Sequence, residues 1–214
     1  MPLKLVTPPS LVPVTLAEAK LHLRVDVTDD DALISSLVLA ATADAEHHMG
    51  RAILPQQWCL TLESFFDPAM YNPPAPITID LIRGPTYSTG ATALLLSRPT
   101  VTAVVSVQYV DAAGTLQTMP SANYQLANAS DYSARIVPAY GQSWPATRAQ
   151  PEAVQVLFSC GYPDVASVPE LIKAWIKLRV SALYENRQAW TLGKAIEQNP
   201  FIDRLLDRYC VLAC

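Results

Sequence analysis

The spacing of hydrophobic and polar residues in the first fifty positions predicts two helices of different character. A hydroxyl at Thr15 and a carboxylate at Glu18 have the spacing of a capping box, which predicts a short helix over residues 15–24. The acidic run at 29–31 is predicted to cap the next helix. Over residues 32–49 it is followed by apolar residues at helical spacing. That apolar stripe is wider than contact with one neighbouring helix requires. The second helix is therefore predicted to lie in a packed bundle or in a contact between subunits.

Between residues 53 and 160 the period changes to the alternation of a β-strand. Apolar and polar residues alternate over 58–63 and again over 154–159, and each run predicts one strand. Another alternating run at 105–109 is followed by a turn sequence at 111–114, which predicts a hairpin. The middle of the chain is therefore predicted to be an antiparallel β region.

Helical periodicity returns near the C-terminal end of the chain. One apolar face is predicted over residues 170–186, with Lys173 and Lys177 on the opposite, polar face. Pro200 suits the first turn of a last amphipathic helix, which is predicted to end at about Cys210.

These patterns predict an α+β fold. In it, the N- and C-terminal helices form one helical bundle, and an antiparallel β region is inserted between them. A proline-rich segment at 67–92 is predicted to be an extra loop or hairpin. The predicted division is an extended N-terminal arm at 1–14, a helical bundle from 15–50 and 168–190, an inserted β region at 51–167, and a C-terminal tail with a short amphipathic helix at 191–214.

Composition narrows the functional classes. The chain has 214 residues, 50% of them hydrophobic and 16% charged, which excludes a disordered chain. The longest apolar stretch, at 32–43, is too short to span a membrane, and no signal peptide is predicted. A formal net charge of −4 argues against a protein that binds nucleic acid by neutralising phosphates.

Candidate catalytic and metal-binding residues do not form a recognisable motif. No serine lies in a nucleophile-elbow sequence, and His47 and His48 point about 100° apart on a helix. The four cysteines are predicted to be buried or idle thiols, because no C-x-x-C pair exists and the three histidines do not complete a zinc pattern. Cys210 and Cys214, four residues apart, supply only two metal ligands. We therefore predict no enzyme activity, no catalytic residue, no metal site and no cofactor.

Short motifs follow one another along nearly the whole chain, and their order and spacing together are specific. The motifs lie at 14–25, 50–51, 54–58, 105–111, 114, 144–145, 161–162, 168–169, 172, 184–187, 200–201 and 205–206. Together they resemble tailed-phage head-tail connector proteins, also called adaptors and often described only as conserved prophage proteins. The insertion at 67–92 and the cysteine-ended tail depart from the pattern of that family.

The resemblance implies a non-enzymatic structural protein of the virion neck, assembled from subunits made in the host cytoplasm. Family members form a ring, commonly of twelve copies, between the portal protein and a stopper or other tail-completion protein. Such a ring joins capsid to tail and extends the channel through which genomic DNA passes. The mild acidity suits that passage, because a wall of like charge does not hold DNA. The resemblance implies no contact with a membrane.

Four residues of the last helix are candidates for a portal or subunit interface. They are Phe201, Leu205, Leu206 and Tyr209. Two uses of them stay open, since they could dock on the portal or cover the subunit's own bundle. Three other functions also stay open: another phage neck or tail component such as a stopper or tail terminator, a small cytoplasmic enzyme with scattered site residues, and a host-encoded scaffold module.

Overall fold

The computed structural model describes residues 3–65, 93–130, 132–186 and 200–211, so the predicted insertion at 67–92 lies outside the described residues. Within these ranges the helices are α1 (Leu16–Leu23), α2 (Asp31–Met49), α3 (Glu170–Glu185) and α4 (Pro200–Asp207). The strands are β1 (Leu3–Thr7), β2 (Gln56–Leu62), β3 (Leu94–Leu96), β4 (Val101–Val110), β5 (Leu116–Thr118), β6 (Tyr124–Ser130), β7 (Ser133–Pro138) and β8 (Val154–Cys160).

The chain divides into two compact units. One unit is drawn from Met1–Val6, Gln57–Ser97 and Val101–Ser159 and contains most of the strand residues. The other is drawn from Thr7–Gln56, Arg98–Thr100 and Cys160–Cys214 and contains the helices named above. Each unit therefore combines segments that are distant in sequence. The predicted domain boundaries stay a prediction.

The strands form two antiparallel sheets, of five strands in the order β1-β2-β8-β4-β5 and of three in the order β3-β7-β6. The predicted architecture, a helical bundle with an inserted β region, is wrong. The strands do not come from one inserted segment, because Leu3–Thr7 precede all the helices in sequence and form the edge strand next to β2. Sequence periodicity identifies single strands but does not show which distant strands pair.

Local predictions are confirmed within one to three residues for the helices α1, α2, α3 and α4. The predicted hairpin is present as the antiparallel pair of β4 and β5. Asp111 holds its turn, because its carboxylate accepts hydrogen bonds from the backbone N–H groups of Ala113 at 3.0 Å and Thr115 at 2.9 Å. A hydrogen bond from the side chain of Gln117, and then the one from Thr115, lower the pKa of Asp111.

The predicted capping box at the start of α1 is present in full. The Thr15 hydroxyl oxygen accepts from the Glu18 backbone N–H at 3.2 Å, and the Glu18 carboxylate accepts from the Thr15 backbone N–H at 2.7 Å. The backbone hydrogen bond from Thr15, followed by that from its side chain, lowers the pKa of Glu18. The carboxylate is therefore held in its charged form at the N-terminal end of the helix.

Replacing Thr15 by alanine is expected to lower the free energy of unfolding by about 1 kcal/mol at neutral pH, because the Glu18 N–H loses its acceptor. A lowered pKa in the folded state adds stability above the unfolded pKa, and this is lost as pH falls through the folded pKa. Part of the variant's deficit should therefore shrink in acid, because the variant loses the bond from the Thr15 hydroxyl to the Glu18 carboxylate at 2.9 Å and keeps the backbone bond. Urea unfolding at neutral and acidic pH would measure this change. Thr28→Ala is the control, since Thr28 is exposed and caps no helix. An equal loss there would contradict the prediction.

Acidic residues of α2 connect this helix to its neighbours, and its N-cap residue does not make the capping bond that was predicted for the acidic run. The N-cap residue Asp30 makes no side-chain capping bond. Its carboxylate instead accepts a hydrogen bond from the Tyr184 hydroxyl of α3. Two ion pairs act in the same way, Asp31 with Lys20 of α1 at 2.6 Å and Asp44 with Arg179 of α3 at 2.9 Å.

Two of the short motifs named in the sequence analysis meet in the helical unit. Gly161 has φ of +108°, and a Cβ on it would lie 2.2 Å from the carbonyl oxygen of Leu54. Beside this close approach the backbone N–H of Tyr162 donates to the carbonyl of Ile53 at 2.9 Å. The motifs at 54–58 and 161–162 therefore form a backbone junction in which only glycine fits without displacement.

Candidate assembly surface

Helix α2 has one buried face and one exposed face. The buried face consists of Ile34, Val38, Ala41, Ala45 and Met49, which recur at helical spacing and lie in the core of the helical unit. The exposed face has no charged side chain between residues 32 and 43. We call this exposed set the α2 face: Ala32, Ser35, Ser36, Leu39, Ala40 and Ala43.

The serines of the α2 face use their hydroxyl groups within the helix. The Ser35 hydroxyl donates to the carbonyl of Asp31 at 2.8 Å, and the Ser36 hydroxyl donates to the carbonyl of Leu33 at 2.7 Å. Because both hydroxyl protons are used internally, what remains towards solvent is largely hydrocarbon. Burying this surface against another apolar surface leaves few donors unsatisfied.

Leu39 projects from this surface with 59% of the side chain exposed. The residues around it are small, so another helix could approach the backbone of α2 closely and surround the leucine. A single exposed leucine is ordinary, and this one lies within an uncharged helical face. The arrangement can bury apolar area against another surface.

The four predicted interface residues of the last helix are only partly accessible. Leu206 is fully buried in the core of the helical unit, and Leu205 and Tyr209 are half-buried against the same core. The side chain of Phe201 lies outside the described residues. The backbone N–H of Val211 donates to the carbonyl of Met49 at 2.8 Å, which fastens the end of this segment to the end of α2. A role for these residues in binding another protein stays a prediction.

The free thiols among the described residues are not activated. Burial, with a smaller effect of Glu46, raises the pKa of Cys160 to about 12. Burial also raises the pKa values of Cys59 and Cys210. A nucleophilic cysteine needs the opposite shift, because the thiolate is the reactive form.

No helix among the described residues combines the length and the apolar character that crossing a membrane would need.

Part of the α2 face could be predicted from the sequence. The excess width of the apolar stripe predicts a second contact, and the structure shows an exposed uncharged side on the same helix. The internal bonds of the two serines were not predicted, since a hydroxyl's partner depends on its rotamer.

Comparison with known proteins gives one family match and several structural matches. Residues 13–80 match the family described as phage gp6-like head-tail connector protein, while a search of curated proteins found no match. A chain from the neck of an empty gene transfer agent particle, computed with C6 symmetry, has a TM-score of 0.72 at 22% identity. That match covers 100% of this chain and 97% of the other.

Two further structures give the same result. A chain from the virion of a native gene transfer agent particle has a TM-score of 0.72 at 21% identity, with the same coverage of both chains. A chain from the neck of a native particle, computed with C12 symmetry, has a TM-score of 0.70 at 20% identity, again covering 100% of this chain and 97% of the other. The family match confirms the resemblance to head-tail connectors, and the shared fold extends over the whole chain.

Proposed function

Because residues 13–80 match the phage gp6-like head-tail connector family, we propose that this chain is a structural connector subunit of a virion neck. The observation that carries the proposal is this match together with a fold shared, end to end, with chains of gene transfer agent particles, two of them from necks. The role is non-enzymatic: the protein joins capsid to tail by contacts alone. The motifs at 54–58 and 161–162 meet where Gly161 approaches the backbone of Leu54, and such a packing contact suits a structural protein.

The subunits form a ring, and the α2 face contacts a second copy of the chain. Structures of the same fold come from necks computed with C6 and C12 symmetry, which favours a cyclic assembly of copies. In a ring every copy presents the same surfaces to its neighbours, so the contact made by the α2 face repeats at each boundary between subunits. Leu39, the exposed leucine of the α2 face, supplies the apolar anchor of that contact.

The ring lies between the portal protein and a stopper or tail-completion protein, and genomic DNA passes through it. The formal net charge of −4 per chain supports free passage, because acidic walls release no counterions from DNA and hold it weakly. The portal-facing contacts come from α4 and the residues that directly follow it. Since Leu206 is buried in the subunit itself, Leu205 and Tyr209 are the better candidates, with Phe201 beside them in sequence.

Electron microscopy of the purified full chain mixed with its cognate portal tests the proposal. We expect a ring of density coaxial with the portal when particles are viewed along the axis. A chain that stays monomeric and leaves the portal bare would overturn the connector role.

Variants of the residues proposed to bind the portal test that interface separately from the connector role. Leu205→Ala and Tyr209→Ala should each weaken portal binding several-fold while the subunit stays folded, because both side chains are half-buried. Wild-type binding by both variants, with the ring still on the portal, would contradict the interface and leave the connector role standing.

A further inference from the structure

Three side chains with metal-binding atoms lie together where α2 and α4 end. His48 lies in the last turn of α2, Asp207 is the last residue of α4, and Cys210 follows three residues later. One ligand atom from each of these residues lies within 4.8 Å of the other two. Among residues 3–65, 93–130, 132–186 and 200–211, this is the one group of three His, Cys, Asp or Glu side chains that lie close enough together to hold a metal ion.

The surrounding structure holds these residues in place. The His48 ring stacks on the buried Trp175 ring of α3, with centroids 6.5 Å apart and planes 18° apart. The Cys210 thiol donates to the backbone carbonyl of His48 at 3.7 Å. The backbone bond from Val211 to Met49 at 2.8 Å keeps the two helix ends together. The group is therefore positioned by a ring contact, a thiol–carbonyl bond and a backbone bond, none of which depends on a metal.

We propose that His48, Asp207 and Cys210 form a binding site for Zn²⁺ or a similar borderline divalent metal such as Co²⁺. Imidazole, carboxylate and thiolate are the ligands that zinc uses, whereas Mg²⁺ and Ca²⁺ take oxygen ligands. Three protein ligands leave the fourth tetrahedral position for water. On binding, the Cys210 thiol gives its proton to solvent and no redox step occurs.

The geometry requires only small side-chain movements. Zinc bonds of about 2.0 to 2.3 Å put ligand atoms roughly 3.5 Å apart in a tetrahedron. His48 and Asp207 are exposed and Cys210 is half-buried, so their side chains can close from the present spacing. The metal would fasten α4 to the end of α2, next to the buried Leu206. This inference does not rest on the proposed connector function.

Cobalt titration of the reduced, metal-free full chain tests the site directly. We expect a thiolate-to-cobalt charge-transfer band with the visible absorption of tetrahedral Co²⁺, and its loss when Zn²⁺ is added. Zinc at a hundred times its Kd should raise the folding equilibrium constant of the helical unit about a hundredfold. Mg²⁺ at the same concentration should leave that constant unchanged.

Matched variants show which residues bind the metal. Cys210→Ser should abolish the thiolate band, and Asp207→Asn, which keeps the shape of the side chain, should weaken cobalt binding at least tenfold. Cys59→Ser and His47→Ala remove the same ligand types elsewhere and should leave binding unchanged. Absence of the band in the wild-type chain would overturn the proposal, as would a band that Cys210→Ser retains or Cys59→Ser removes.

Discussion

Replacing Leu39 by glutamate is expected to abolish self-assembly while the subunit remains folded. Leu39 is 59% exposed, so the substitution leaves the core of the subunit intact. In a ring, the new carboxylate would be buried in a face that carries no positive charge between residues 32 and 43. An unpaired charge at such a contact costs about 3 kcal/mol or more, which is at least a hundredfold in association.

Light scattering and electron microscopy would measure the ring fraction of this variant, and circular dichroism would check its fold. Leu116→Glu is the matched control, because Leu116 is 56% exposed and lies in β5, away from α2 in sequence and in a different compact unit. We expect rings from Leu116→Glu and none from Leu39→Glu. Rings from both variants would show that the α2 face is not the subunit contact.

Replacing Gly161 by alanine is expected to destabilise the helical unit by on the order of 4 kcal/mol. The added Cβ would lie 2.2 Å from the carbonyl oxygen and 2.4 Å from the carbonyl carbon of Leu54, and these backbone atoms cannot rotate away. A φ of +108° is also unfavourable for a residue with a side chain. The junction must open, which lengthens the bond from the Tyr162 N–H to the Ile53 carbonyl.

Gly50→Ala separates steric overlap from backbone strain in the same unit. Gly50 also has a positive φ, of +68°, but the nearest atom to its added Cβ is 3.6 Å away, an ordinary contact. This variant should therefore lose only about 1 kcal/mol. Urea unfolding of both variants gives the comparison. Similar losses would show that the close approach to Leu54 does not determine stability.

The helices were predictable because their signals are local. Thr15 and Glu18 are three residues apart, and the capping box they predict is present with both hydrogen bonds. The apolar spacing of α2 likewise predicted the helix and included its five buried positions, since residues three and four apart share a helix face. The turn at Asp111 was predictable for the same reason, because its hydrogen bonds close within a few residues.

Long-range packing overrode the sequence pattern at particular residues. Lys173 was predicted on the polar face of α3, yet it is 7% exposed, with its ammonium group paired to Glu170 at 3.0 Å. Such a residue is buried only because neighbouring elements cover its stem and a carboxylate pairs its charge. The acidic start of α2 gives a second case, since the Asp30 carboxylate accepts a hydrogen bond from the Tyr184 hydroxyl and makes no side-chain capping bond.

The sequence by itself determined the helix positions and the hairpin, and it showed the resemblance to head-tail connectors, because each depends on residues close together in the chain or on their order along it. Only the tertiary structure decided that Leu3–Thr7 pair with β2, that Gly161 meets Leu54, and that His48 meets Cys210. These contacts join residues separated by tens to more than a hundred positions. Their free energy depends on which surfaces the whole chain can bury together, and no local pattern encodes that choice.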